Sequence, residues 1–238
     1  EGFIVVTGEI GAGKTTLVRT LLDSLIQDEI IAAQIVSTQL DANDLLLAIC
    51  TAFGIPVKGT SKAQWLATLE AFFTAVAAGG RRALLVIDEA QNLGLKEIEE
   101  LRMLSNFQLG SRALLQSFLV GQPELRKMLQ SKSLEQLRQR VIASCHLGPL
   151  QAEEIKPYVE HRLRHVGWQG AEIFSEDSYQ QVFACTEGIP RRINLLCTRA
   201  MLGAYLRSSR TIEARDVLQT AKELGAELGD SLVRVASS

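Results

Sequence analysis

Gly8-Glu9-Ile10-Gly11-Ala12-Gly13-Lys14-Thr15 satisfies the G-x-x-x-x-G-K-[ST] pattern of a phosphate-binding loop and sits between two stretches of different period. Before it, Phe3-Ile4-Val5-Val6-Thr7 is a short β-branched apolar run that reads as a buried strand. After it, Thr16-Leu17-Val18-Arg19-Thr20-Leu21-Leu22 has helical apolar spacing. A strand, a glycine-rich turn and a helix are the context such a loop requires. Glycines let successive backbone N–H groups converge on phosphate oxygens, and a helix starting near Gly13 adds its positive end. Lys14 is expected to bring a full cation to the β- and γ-phosphates, and the Thr15 hydroxyl to ligate magnesium. The nucleotide-contacting stretch is therefore Gly8, Glu9, Ile10, Gly11, Ala12, Gly13, Lys14, Thr15 and Thr16, the last read as a helix residue rather than a metal ligand.

The second half of such a site is Leu84-Leu85-Val86-Ile87-Asp88-Glu89, an apolar strand ending in two acids, the Walker B pattern. Ligands of open α/β sheets bind beyond the carboxyl ends of the strands, where these acids would stand. Asp88 is expected to bind magnesium through its water shell and Glu89 to polarise the water that attacks the γ-phosphate. The competing reading is a pair of solvated acids capping the next helix.

Strand-like runs recur at Phe3 to Thr7, Ile31 to Ser37, Ala83 to Asp88, Leu114 to Val120 and Val141 to Leu147, separated by helical periodicity. This alternation predicts an α/β fold, a parallel sheet covered on both faces. Asp41 marks the start of a helix over Asn43 to Phe53, and Ser61 with Gln64 forms a capping box for a helix running toward Ala78, closed by Gly79-Gly80. After Gly148-Pro149-Leu150 no strand is expected. Helices are predicted near Ala152 to Val166, Glu176 to Thr186, Arg191 to Leu206 and Glu213 to Leu224. The division is thus a nucleotide-binding core over 1–148, a helical region over 149–228 and a flexible tail over 229–238.

Composition bounds the rest. With 238 residues, 47% of them hydrophobic, the chain can bury a large core. Its formal charge of −2 gives no global signature of nucleic-acid or anionic-membrane binding. Cys50, Cys145, Cys185 and Cys197 show no C-x-x-C pairing and no cluster with histidines beyond the single His146 next to Cys145, so they are expected to be buried or half-buried thiols of a reducing cytosol. No apolar run approaches the roughly 20 residues that span a bilayer, and no signal peptide is expected within these residues. The chain begins at Glu1 almost within a core strand, which suggests a missing upstream segment. The expected location is the cytoplasm, with any membrane association peripheral or through partners.

Because Ile31 to Ser37 falls between the loop strand and the Walker B strand in sequence, a later strand, Leu114 to Val120, is expected to separate those two in space. Its tip would set Gln122 beside the γ-phosphate; alternatively Gln122 simply begins the Pro123 turn. Arg138 and Arg140 precede the last strand, and an arginine there can reach a neighbouring subunit's γ-phosphate, with Arg140 preferred because it abuts the strand. Solvated helix arginines are the alternative. Gly188-Ile189-Pro190-Arg191-Arg192-Ile193-Asn194 sets two arginines at a positive helix start, which an anionic partner or a structural salt bridge would explain.

GEIGAGKTT, LLVIDEAQNL, FLVGQPELR, LRQRVIASCHLGPL and GIPRRIN together resemble the AAA+ superfamily, most of all the bacterial ATPases of the general secretion pathway ExeA type. Within these the chain resembles the ATPase associated with exosortase, PEP-CTERM and exopolysaccharide gene clusters. The resemblance implies a P-loop three-layer sandwich with a five-stranded parallel sheet in the order 5-1-4-3-2 and a small helical lid. It also implies ATP and Mg2+, assembly into a homo-oligomeric ring or filament, Gln122 as first sensor, Arg140 as the trans arginine and Arg191, or Arg192, as lid sensor. Relatives usually carry residues ahead of the loop strand that enclose the adenine, and often a membrane segment and a peptidoglycan-binding module, none of which this sequence shows. Ser37 stands where related ATPases often place an asparagine that restrains the catalytic glutamate. The leading expectation is an oligomer-stimulated ATPase acting on protein partners in envelope export or exopolysaccharide assembly. The alternatives are a DNA-handling ATPase of the initiator or transposition-regulator type and a non-hydrolysing nucleotide switch.

Overall fold

The computed structural model describes residues 2–25, 29–37, 41–57, 59 and 61–228. By contacts the chain divides into two compact units, residues 1–10 with 14–147, and residues 11–13 with 148–238. In chain order the first holds β1 (Phe3–Gly8), α1 (Lys14–Ser24), β2 (Ile30–Val36), α2 (Ala42–Ala52), α3 (Lys62–Ala78), β3 (Arg82–Asp88) and α4 (Leu95–Leu104). It continues through β4 (Gln108–Leu109), β5 (Arg112–Ala113), β6 (Leu115–Gly121), α5 (Pro123–Leu129), α6 (Glu135–Arg138) and β7 (Val141–Leu147).

The large sheet has the order β2-β3-β6-β1-β7, and all its pairs are parallel. Counting only its five strands, this is the expected order 5-1-4-3-2 of a P-loop α/β sandwich. The three central strands, β1, β3 and β6, are covered on both faces, whereas the edge strand β2 alternates, with Ala32, Gln34 and Val36 exposed. Leu85, Ile87, Leu119, Phe3 and Val5 pack with Leu45, Leu46 and Ile49 of α2 and Leu69 and Phe73 of α3. Leu84, Val86, Val120 and Val6 pack with Val18 of α1 on the opposite face. Burial on both sides is what makes the central strands continuous apolar runs rather than alternating ones. The helix starts follow local chemistry: the Asp41 carboxylate accepts from Asn43 N and Asp44 N, and Ser61 with Gln64 forms a complete capping box.

Two features depart from the sequence reading. A small antiparallel pair, β4 with β5, turns at Gly110 and precedes β6. β7 is an exposed edge along most of its length, so Cys145 is exposed, whereas Cys50, Cys185 and Cys197 are buried free thiols. An apolar-looking run does not reveal that it ends a sheet with no helix of its own. The expected tail 229–238 lies outside the described residues.

The second unit contains α7 (Ala152–His165), α8 (Glu176–Thr186), α9 (Pro190–Leu206) and α10 (Ala214–Leu228). Its core joins Ile155, Val159, Val182, Ile193, Leu196, Val217 and Leu224, and the only bridge outside named strands among the described residues links Phe174 with Ile212. No helix among the described residues is long and apolar enough to cross a membrane.

The close approach that sets the geometry of this helical unit lies at Gly188, just after α8. Gly188 has a φ of 74°, its carbonyl accepts from Leu150 N at 2.9 Å, and a Cβ there would sit 1.9 Å from the Leu150 carbonyl oxygen. Gly188→Ala therefore meets both an unfavourable backbone and a backbone clash, and should destabilise the helical unit by at least about 2 kcal/mol. Hydrogen exchange of α8 and α9 amides measures this, and unchanged protection would refute it.

Candidate active site

The loop after β1 has the backbone its glycines permit, with Gly11 at a φ of 84° and Gly13 at 92°. Residues carrying a Cβ rarely adopt that left-handed region. Lys14 opens α1 and is buried; its Nζ donates to the carbonyls of Gly8 at 2.7 Å and Glu9 at 2.9 Å. One residue on, Thr15 Oγ1 donates to Asp88 Oδ2 at 3.1 Å. That bond joins the start of α1 to the tip of β3, although β1 and β3 are separated in the sheet by β6. The other Asp88 oxygen, Oδ1, accepts from the backbone N–H of Glu89 at 2.9 Å.

A buried ammonium, a hydroxyl and a carboxylate thus stand together at the carboxyl edge of the sheet. A hydroxyl beside a carboxylate is an oxygen donor set suited to a hard divalent cation, and the ammonium beside a glycine-rich turn suits phosphate. Thr16 lies within α1. Glu9 and Ile10 are exposed on the loop, and Ala12 is half-buried there.

Glu89 has a φ of 53° and no side-chain capping bond to the short turn of 3₁₀ helix, Ala90–Asn92, that follows it. The reading of the acid pair as a helix cap does not describe Glu89. Its Oε2 accepts from Gln91 Nε2 at 2.5 Å and from Gln122 Nε2 at 3.2 Å. Donation from Gln91 is the strongest influence on its acidity. With Gln122 and the charge of Lys14 it outweighs partial burial and holds the carboxyl below its ordinary pKa. Gln122 is at once the N-cap residue of α5, ahead of Pro123, and a hydrogen-bond partner of Glu89.

Gln91, which bonds both Glu89 and Gln122, was not singled out in the sequence. A glutamine two positions past an acid carries no signal of its own, and its contact with Gln122 exists only because β6 lies beside β3. Ser37, by contrast, makes no side-chain hydrogen bond with Glu89: its hydroxyl is buried without a hydrogen-bond partner among the described residues, while its carbonyl accepts from Asn92 Nδ2 at 3.0 Å.

Arg140 and Arg138 lie away from this site, whereas the backbone N–H of Arg191 donates to the Gly11 carbonyl of the loop at 3.1 Å. Arg140 precedes β7 at the amino edge of the sheet, its carbonyl accepting from Phe3 N at 2.9 Å and its Nη1 reaching Ser105 Oγ at 3.4 Å and Ser105 O at 3.5 Å. Seven strand residues at about 3.3 Å each separate it from the carboxyl edge, roughly 20 Å away within one chain. Arg138 is exposed at the end of α6. In the helical unit Arg191 is exposed in the first turn of α9, and its neighbour Arg192 pairs with Glu187 at 2.8 Å, the structural salt bridge weighed for this pair.

The parallel sheet, the loop at its carboxyl edge and the Thr15–Asp88 contact define a P-loop nucleotide-binding domain. The chain belongs to the AAA domain family, which it matches over residues 1–129. It is similar to the general secretion pathway protein A of Aeromonas hydrophila, with 39% identity over 94% of this chain and 41% of that protein. The chain spans about two fifths of the length of the curated relatives it matches, 41% of each. Among solved structures, the ORC2 protein of Aeropyrum pernix in its ADPNP-ADP complexes superposes with a TM-score of 0.71 at 15% identity, over 93% of this chain and 62% of that one. The Cdc6p of Pyrobaculum aerophilum gives 0.69 at 19% identity, over 93% and 60%. At these identities the structural likeness concerns the fold.

A buried hydroxyl that has lost water without gaining a partner contributes nothing favourable. Ser37→Ala should leave the urea midpoint unchanged or raise it. A loss above about 1 kcal/mol would mean that the Ser37 hydroxyl has a partner after all.

Proposed function

We propose that this chain binds ATP with magnesium and hydrolyses it, as an AAA+ ATPase that couples turnover to the rearrangement of protein partners in envelope export or exopolysaccharide assembly. The observation that carries the chemistry is the 3.1 Å contact of Thr15 with Asp88 beside the buried Lys14. It brings the two oxygen donors and the cation of the site to one point. The similarity to a general secretion pathway protein supports the cellular setting, and the adenine nucleotides named for the ORC2 structure support the choice of base. The link to exosortase and exopolysaccharide loci rests on resemblance in the motifs alone.

In this reading the loop from Gly8 to Thr16 wraps the phosphates, and Thr15 with Asp88 holds the cation. Bound magnesium would withdraw charge from the phosphate oxygens. Glu89 receives the proton of the attacking water at Oε1, the oxygen that accepts no hydrogen bond from the described residues. Gln122 orients the same water from the neighbouring strand tip. Arg140 is too far along its own chain to act on its own nucleotide, so its role is in trans, in a ring or filament of copies. Its long contacts to Ser105 leave the guanidinium weakly held, as a side chain that must change partners requires. Arg191 is the lid sensor and residues 149–228 the lid. The protein would work in the cytoplasm, at the inner face of the membrane only through partners. The DNA-handling alternative has fold-level likeness behind it, and the non-hydrolysing switch has no feature in its favour once Glu89 stands in the site.

Glu89→Gln should keep ATP affinity within about twofold while phosphate release falls at least about a hundredfold, the range expected for losing a general base. Full turnover in that variant would sink the mechanism. In concentration-dependent assays, Arg140→Ala should lose the rise in specific activity on assembly, whereas Arg138→Ala keeps it. The reverse result would move the trans role to Arg138.

A further inference from the structure

We propose that Gln91 is the positioning residue that holds Glu89 in place and ties it to Gln122, a role that rests on the ATPase reading of this site. Three hydrogen bonds close a ring. Gln91 Nε2 donates to Glu89 Oε2 at 2.5 Å, Gln91 Oε1 accepts from the backbone N–H of Gln122 at 3.0 Å, and Gln122 Nε2 donates to the same Glu89 oxygen at 3.2 Å.

The orientation of the Gln91 amide follows from the partners. Turned over, its NH2 would face the Gln122 N–H, donor against donor, and its oxygen would face a carboxylate. A glutamine is the one side chain of this length that offers a donor to an acid and an acceptor to an amide at once, so neither glutamate nor methionine can complete the ring.

Two independent features show that the ring is built into the fold. A Cβ on Gly121 would stand 2.7 Å from Gln91 Oε1, so the end of β6 leaves room for that carboxamide. Glu89 is held at a φ of 53°, a backbone conformation that a non-glycine residue keeps only where its surroundings impose it. Ser37, at the position where related ATPases often place a restraining asparagine, has a hydroxyl with no hydrogen-bond partner among the described residues. The restraint comes instead from the residue two places beyond the glutamate.

The consequence for the reaction is a division of labour between the two carboxylate oxygens. Oε2 carries both amide donors and is fixed. Oε1 is left to meet the attacking water, and its direction is set by the two bonds on its twin. Any movement of Gln122 is passed to Glu89 along two routes, through its own Nε2 and through Gln91. Gln91 therefore couples the tip of β6 to the tip of β3 without touching the reacting atoms.

The test compares Gln91→Met, which keeps the shape and removes both bonds, with Gln91→Glu, which keeps the acceptor and replaces the donor with a repelling carboxylate. Three measurements are made on each: steady-state kcat and KM for ATP, the affinities for ATP and for ADP–aluminium fluoride, and hydrogen exchange of the Gln122 amide in nucleotide-free protein. Both variants should lower kcat by about tenfold or more with KM and ATP affinity within about twofold, and both should lose the preference for ADP–aluminium fluoride over ATP. The Gln122 amide should exchange faster in Gln91→Met but not in Gln91→Glu. A double-mutant cycle of Gln91→Met with Gln122→Ala should show effects that do not add. A kcat within twofold of the wild type, or an equal loss of ATP affinity and turnover, would overturn the positioning role alone. A wild-type chain that binds but never hydrolyses ATP would overturn the ATPase reading and this role with it.

Discussion

The insertion of β6 between β1 and β3 is the constraint on which the rest of this molecule depends. Its parallel ladders to both neighbours fix how far the loop after β1 stands from the acids after β3. The gap is wide enough for Gln122 to face Glu89 and narrow enough for Thr15 to reach Asp88. Burial of Val86 and Leu119 without exposure makes the spacing rigid, since a close-packed strand cannot slide by one residue without forcing each side chain into the packing of the opposite face. The site is thus a property of the sheet, with the loops supplying only the last few ångströms.

Much of this was legible in the sequence because it is written in local terms. The strands of the sheet follow from runs such as Phe3 to Thr7 and Leu84 to Ile87, the helix starts from Asp41 and Ser61, and the loop from its glycines and Lys14. The order of the strands was reachable too, from the motifs and what they resemble. What was not legible depends on partners far apart in the chain. Gln91 becomes informative only when Gln122, 31 positions away, is seen beside it. The exposure of Cys145 depends on β7 being an edge, and two-residue strands such as β4 and β5 fall below any periodicity.

Electrostatics and packing divide the site between them. Lys14 and Asp88 are both nearly excluded from solvent, and each has its partners: two carbonyls for the ammonium, a hydroxyl and an N–H for the carboxylate. Buried charge is tolerable on those terms and costly otherwise. Glu89 is more open, and its acidity is set by amide dipoles rather than by a counter-ion in contact. Two neighbouring acids are thereby placed in different environments, as a division between cation holder and base requires.

The last strand has a consequence for motion. Among the described residues β7 pairs only with β1, and between Ile142 and His146 its side chains are exposed, so little apolar burial adds to its backbone ladder. Local opening free energies track such burial, and β7 should be the first strand of the sheet to breathe. Arg140 stands at the start of that strand, anchored through its carbonyl to Phe3. The arginine assigned to act on another subunit is therefore carried by the least firmly held strand of the sheet. In the proposed oligomer, a neighbour that docks along this edge would quiet those fluctuations as it gains the arginine, so that ordering of the strand and completion of the next site would become a single event.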